Sequence, residues 1–227
     1  GTLKALWIFA EDVVQTDPNT HHVVKAMQGL DLLVVQEIFM SETAKMADVV
    51  LPGTTFLEKS GTFTNTERRI QQVNAAVNPL PGTKTDGQII VEMMRKLGLD
   101  QPDFDAKTVL NEISKVVSFF EGVTWEGLRA SPMGLQWPVN KKGEDTQILH
   151  IGEFKRGKGK FHYHDWKESE ELTKHKNEYP FILTTSRELQ HYNCATMTRR
   201  TSNVKILTKD VIMLNPKDAK AKDLTSG

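Results

Sequence analysis

The chain has 227 residues, 38% of them hydrophobic and 26% charged, which fits a folded protein with one large or two small domains and a real core. Lys+Arg and Asp+Glu both number 29, so no global field favours nucleic acid or an anionic membrane as partner. No apolar run approaches the ~20 residues of a membrane span, and the opening residues lack the basic-then-apolar pattern of a secretory signal. The single cysteine, Cys194, excludes an internal disulfide and any clustered thiolate site, and it permits a reducing compartment such as the cytoplasm.

In chain order, Leu3 to Phe9 reads as a short buried strand ending at Ala10-Glu11-Asp12. Asp17-Pro18 supplies an N-cap and an N1 proline for a helix carrying Val23, Val24, Met27 and Leu30, with Gly29 as its stop. Leu32 to Val35 is almost wholly apolar, as expected of a parallel strand covered on both faces. Ser41 caps a short helix, Val49 to Leu51 is a third strand, and Thr55-x-x-Glu58 has capping-box spacing before a polar Thr/Asn turn. Strand, helix, strand, helix, strand predicts an α/β fold: an open, mostly parallel sheet with flanking helices. Ligands of such sheets sit beyond the carboxyl ends of the strands. Position therefore selects Glu11, Asp12 and Thr16, then Gln36 and Glu37, then Gly53 and Thr54.

Further on, Asp86 precedes a helix bearing Ile89, Ile90, Met93, Met94 and Leu97 and stopped by Gly98, and residues 106 to 130 predict two more helices. From Trp137 to Lys176 the chain is rich in Lys, Gly and His and reads as a connecting arm. Phe181 to Ser186 is predicted as a strand leading into Arg187-Glu188-x-x-His191-Tyr192-Asn193, Val211 to Leu214 as another, and Asn215-Pro216 opens a helix. The expected division is 1–136, an α/β domain; 137–178, the arm; and 179–227, an incomplete second domain. The abrupt ends suggest a segment of a longer chain.

Several patterns invite chemistry. Gly152-x-x-x-x-Gly157-Lys158 has the outline of a phosphate loop, but Gly159 stands where Ser or Thr is needed and no helix follows, so a solvated basic turn is expected. His21-His22 diverge on a helix and His162-x-His164 lacks a third ligand beyond Asp165; all four read as surface histidines. Cys194 reads as a small hydrophobe rather than a nucleophile. Arg187-Glu188 after an apolar strand could hold a phosphate and an N–H edge, or be a local ion pair. Asp86, like other loop acids, could simply cap its own helix.

Four segments together carry a resemblance: Glu-Asp-x-x-x-Thr-Asp-Pro-x-Thr-His-His at 11–22, Val-Val-Gln-Glu-Ile-Phe-Met-Ser-Glu-Thr-Ala at 34–44, Ala-Asp-Val-Val-Leu-Pro at 47–52 and Glu-Lys-Ser-Gly-Thr-Phe-Thr-Asn-Thr-Glu-Arg-Arg at 58–69. They resemble the third domain of molybdopterin oxidoreductases, formate dehydrogenase alpha subunits in particular. Thr-Thr-Ser-Arg-Glu-Leu-x-His-Tyr-Asn-Cys-Ala-Thr-Met-Thr-Arg-Arg at 184–200 is similar to the start of the family's double-psi β-barrel, which binds the dinucleotide, and Asn-Pro-Lys-Asp-Ala at 215–219 to a later step of it.

The resemblance implies a parent enzyme that oxidises formate to carbon dioxide on molybdenum or tungsten held by molybdopterin guanine dinucleotide. It implies a [4Fe–4S] cluster in an upstream part of the subunit and possible electron-transfer subunits beyond it. Cofactor contacts carry over to Glu11, Asp12, Thr16, Gln36 and Asp86, and to Arg187, Glu188, His191 and Asn193, where some relatives have serine in place of Asn193. The resemblance places the family's metal ligand and catalytic residues outside these 227 residues, so the chain alone is expected to be inactive. Two alternatives share the fold: the large iron–sulfur subunit of respiratory complex I, which lacks molybdenum, and another molybdopterin oxidoreductase such as a nitrate reductase or an arsenic enzyme.

Overall fold

A computed structural model describes residues 2–154 and 156–226. Strand β1 (Ala5–Phe9) leads through a one-turn helix α1 (Val13–Thr16) and helix α2 (Thr20–Gln28) to β2 (Leu32–Glu37). A 3₁₀ turn at Ala44–Met46 precedes β3 (Val49–Pro52). The three strands pair in parallel in the order β1-β2-β3, with Ile8 beside Val35 and Val35 beside Val50. This is the α/β arrangement the apolar runs predict. Helix α2 buries Met27 against Ile8, Leu33 and Val35, and Val23 and Leu30 pack alongside.

Two local expectations are corrected. The cap of α2 is Asn19, not Asp17: Asn19 takes φ 58°, and its side chain accepts from His22 N–H at 3.3 Å. Asp17 instead ends α1, because Pro18 separates the two helices, and asparagine tolerates the left-handed turn needed to restart one. The sheet is also covered fully on one face and only in part on the other. Trp7, Phe9, Leu32 and Val49, on the face opposite α2, are 37–49% exposed, and the helix that begins at Asp86 meets that face only at its carboxyl edge, where Asp86 bonds Gln36.

A second sheet follows. β4 (Gly61–Thr64) and β5 (Arg69–Val73) form a hairpin, and β6 (Leu135–Gln136) pairs antiparallel with β5. Helices α3 (Asp86–Lys96), α4 (Ala106–Val116) and α5 (Trp125–Ala130) lie between β5 and β6 in the chain. Ile70, Leu110, Val123, Leu128 and Val139 make a second core, so the chain just past Trp137 is packed rather than loose. At Gly134 (φ +80°) a Cβ would come 2.3 Å from the Ile70 carbonyl, which is why β6 can close on β5 only through glycine.

Arg68 fastens that region. It sits at φ 65° in the hairpin turn, and its guanidinium donates to the Trp137, Thr146 (3.1 Å) and Gln147 (3.0 Å) carbonyls. The same group lies over the Trp137 ring, 5.5 Å from its centroid.

Past residue 147 the chain is mostly irregular, with α6 (Glu170–Lys174) and α7 (Pro216–Ala221) the helices longer than a 3₁₀ turn. Asn215 caps α7 by accepting from Lys217 N–H at 2.9 Å, and Pro216 sits at its first position, as predicted. The strands expected at 181–186 and 211–214 do not form. Their apolar residues line a shared groove of about 890 Å³, and Leu183 and Met213 are each 83% exposed. A strand needs a hydrogen-bonded neighbour as well as β-forming residues, and none of the described residues supplies one. No helix among the described residues is long and apolar enough to cross a membrane.

Replacing Arg68 by Met should cost about 2–3 kcal/mol, since three carbonyls lose a charged donor. Urea denaturation measures the loss, and limited proteolysis should then cut first within 137–147. Unchanged stability and cleavage would show that the arginine is not what holds that segment.

Candidate functional site

The carboxyl ends of β1, β2 and β3 converge on one cleft. Ala10, at φ 53°, turns the chain out of β1 while its N–H still donates to the Gln36 carbonyl at 2.9 Å. That turn delivers Asp12, which is 5% exposed. Its Oδ1 accepts from both the N–H (2.9 Å) and the O–H (2.7 Å) of Thr43, and Thr43 Oγ1 accepts in turn from Val14 N–H at 3.1 Å. Strand end, α1 and the 41–46 loop are thereby locked together, while Asp12 Oδ2 is buried without a partner.

Gln36, at the end of β2, is 1% exposed. Its Nε2 donates to Asp86 Oδ1 at 3.0 Å, and Asp86 Oδ2 accepts from Lys59 Nζ. A carboxylate only accepts, so the amide must turn its nitrogen toward Asp86, leaving Oε1 buried and unpartnered. The cap of α3 is Thr85, with Gln88 completing a capping box; Asp86 occupies the first helical position and faces the cleft. Gly53 leaves room for this, because a Cβ there would stand 3.3 Å from Asp86 Oδ1.

Thr54 follows β3, is 2% exposed, and its Oγ1 has no hydrogen-bond partner. The loop behind it is held by the predicted capping box: Glu58 Oε2 accepts from Thr55 N–H (2.8 Å) and O–H (2.9 Å), and Oε1 accepts from Leu80 N–H (3.0 Å). The Thr55 backbone and hydroxyl bonds hold the Glu58 carboxyl below its usual range.

The cleft has a volume of about 520 Å³. Glu11, Asp12, Thr16, Gln36, Thr54, Lys59 and Asp86 contribute to one side, and Tyr192, Asn193, Cys194 and Met197 to the other. Thr16 Oγ1 donates to Glu11 Oε1 at 2.6 Å on its rim. Asp12 Oδ2, Gln36 Oε1 and Thr54 Oγ1 are the buried side-chain polar atoms left unpartnered among the described residues, and all three belong to this cleft. Each such atom costs about 1–3 kcal/mol unless something satisfies it.

The 190s segment is docked by Arg200, whose guanidinium lies 5.0 Å from the Phe39 ring centroid. Asn193 (φ 48°) and Ala195 (φ 64°) both adopt the left-handed region, an uncommon pair of turns that directs Asn193 and Cys194 to the cleft. Arg187, Glu188 and His191 do not reach that cleft. They line an adjoining hollow of about 300 Å³ with the Arg199–Asp210 pair, and Asn193 and Cys194 border both.

His191 is 8% exposed, with Nε2 3.3 Å from the Leu207 carbonyl and Nδ1 2.9 Å from Thr198 Oγ1. The carbonyl can only accept, so Nε2 carries the hydrogen and both ring nitrogens serve the local fold.

Six of the nine residues singled out from sequence therefore share the larger cleft: Glu11, Asp12, Thr16, Gln36, Asp86 and Asn193. Lys59 and Thr43 were not foreseen. Lys59 adjoins the capping box, a local signal that could have drawn attention to it. Thr43 meets Asp12 across 31 positions, and no local pattern announces that contact.

Comparison with known proteins agrees with this architecture. Residues 1–96 match the molybdopterin oxidoreductase family model, and 181–227 match the model described as a molydopterin dinucleotide binding domain. The chain is 42% identical over 231 residues to an F420-dependent formate dehydrogenase subunit alpha of Methanocaldococcus jannaschii, covering 99% of this chain and 34% of that protein. A corresponding subunit of Methanococcus maripaludis is 41% identical over 99% of this chain and 34% of its own length. The fold is shared with acetylene hydratase from Pelobacter acetylenicus, at a TM-score of 0.70 and 23% identity over 99% of this chain and 32% of that one. The chain thus spans about a third of the length of these relatives.

Thr43→Val keeps the shape but leaves Val14 N–H unpartnered and removes a donor from Asp12, so unfolding by urea should show a loss of about 1–3 kcal/mol. Glu58 has a lowered folded-state pKa, so its contribution is present above the ordinary value of 4.5 and is lost as pH falls through the folded one. Thermal denaturation of Glu58→Gln should accordingly fall less steeply than wild type on acidification below that value. Parallel curves would show that the box contributes nothing pH-dependent.

Proposed function

This chain belongs to the molybdopterin oxidoreductase family, and from that premise we propose that it builds one wall of the cofactor cradle of a molybdenum- or tungsten-dependent formate dehydrogenase. The observation that carries the reading is the set of three buried, unpartnered polar atoms at the ends of three adjacent strands. Asp12 Oδ2 and Gln36 Oε1 accept, and the Thr54 hydroxyl can do either.

Guanine and pterin both present an N–H/NH₂ donor edge, so the donor–acceptor chemistry of the cleft fits a molybdopterin guanine dinucleotide. Asp12 and Gln36 would hold that edge, with Glu11, Thr16, Asp86 and Asn193 around it. In the adjoining hollow, Arg187 suits a phosphate through charge-assisted hydrogen bonds, with Glu188 beside it. His191 supports the 190s segment from behind rather than offering a free nitrogen.

When bound, the group supplies two-electron redox chemistry at its metal. The residues of this chain bind and orient it and keep water from its heterocyclic edge. Formate as substrate, a [4Fe–4S] cluster elsewhere in the subunit, electron-transfer subunits and a cytoplasmic setting belong to the same proposal for the parent protein.

The full-length parent, purified without oxygen, should contain molybdenum or tungsten and reduce an artificial acceptor with formate. In it, Gln36→Leu should lower the retained guanine dinucleotide at least tenfold, assayed as GMP released by acid, since a buried hydrogen bond is lost. Iron without either heavier metal would instead favour a structural role like that of the complex I subunit.

A further inference from the structure

If the cleft offers acceptors to its ligand, one of them is conditional. A carboxylate oxygen can only accept, but the Gln36 amide can offer either C=O or NH₂, because its terminal torsion is two-fold. The choice is made behind the cleft. Nε2 lies 3.0 Å from Asp86 Oδ1, and the other oxygen of Asp86 is paired with Lys59 Nζ. Turning the amide over would set its carbonyl against a carboxylate oxygen with no proton between them.

We infer that Lys59 is a positioning residue that, through Asp86, fixes the Gln36 carbonyl toward the cleft and so makes the site select heterocycles with a donor edge. The inference rests on the cofactor reading above and adds to it the source of its selectivity. Gln36 is 1% exposed, so water cannot readily stand in for the missing partner if Asp86 moves. The Lys59 and Asp86 side chains are 26% and 24% exposed, which shields their pair more than a typical surface bridge. Gly53 leaves the carboxylate its place, 3.3 Å from where a Cβ would be.

Lys59 also lines the cleft, so the rival account has its ammonium touching an anionic part of the ligand directly. The two accounts differ in what the lysine controls. A direct contact strengthens every anionic nucleotide alike, whereas the relay changes which base is preferred.

The test uses the whole chain with ¹⁵N-labelled glutamine side chains, observed by NMR, with GDP and ADP at millimolar concentrations as probes. In wild type the Gln36 NH₂ should exchange slowly with solvent, and GDP should bind at least tenfold more tightly than ADP. K59M and D86N should each speed that exchange at least tenfold and bring the GDP/ADP ratio toward one. The double variant should be no worse than either single change, because both break one relay. K59R should keep the ratio, and should K59M fail to fold, D86N carries the same expectation. If K59M weakens GDP and ADP equally and leaves the ratio and the exchange unchanged, the relay is overturned while the acceptor reading stands. A wild-type chain without preference for GDP would overturn that reading, and the relay with it.

Discussion

Asp12 and Gln36 each divide a planar, two-sided polar group between the fold and a ligand. One side is satisfied inside the protein, by Thr43 or by Asp86, and the other is left buried and unpartnered. On the proposed reading, that division is what distinguishes a binding site from a packing defect. The internal bond fixes the orientation of each group in advance, so little freedom remains to be lost when a ligand arrives. The open side costs about 1–3 kcal/mol in the empty protein, a strain that a ligand of the right polarity removes.

The placement of these groups follows from the sheet. β2 is the middle strand, so its end is flanked on both sides, and a polar residue there cannot escape to water. Gln36 is buried for that reason. Asp12 and Thr54 follow the neighbouring strands and converge on the same space because parallel strands end on the same edge. The 190s segment closes the far side through Arg200 on Phe39 and through the left-handed turns at Asn193 and Ala195. The walls thus come from segments some 150 residues apart in sequence, while the three unpartnered atoms stand at or just beyond the strand ends of one short sheet.

Much of this was legible in the sequence because the signals were local. Apolar runs mark β1, β2 and β3, Thr55 and Glu58 announce their capping box, and strand-end position singles out Asp12, Gln36 and Thr54. What escaped was non-local. Thr43 matters only because the fold brings it to Asp12, and Lys59 only because α3 brings Asp86 between it and Gln36. The resemblance gives His191 as a cofactor contact, and only the fold shows that both its ring nitrogens meet Thr198 and Leu207. The segments 181–186 and 211–214 have strand composition, but composition cannot supply the hydrogen-bonded neighbour that a strand requires. Asn19 displaced Asp17 as a helix cap because a left-handed turn, invisible to propensity, restarts the chain after Pro18.

The most direct test of the central claim is an experimental structure of the full-length parent with its dinucleotide bound. Asp12 Oδ2 and Gln36 Oε1 should each lie within about 3.2 Å of an N–H or NH₂ nitrogen of the ligand's heterocycle, and Thr54 Oγ1 within the same distance of one of its nitrogens or oxygens. Finding the dinucleotide elsewhere, with these three atoms satisfied by protein groups or by water, would contradict the account.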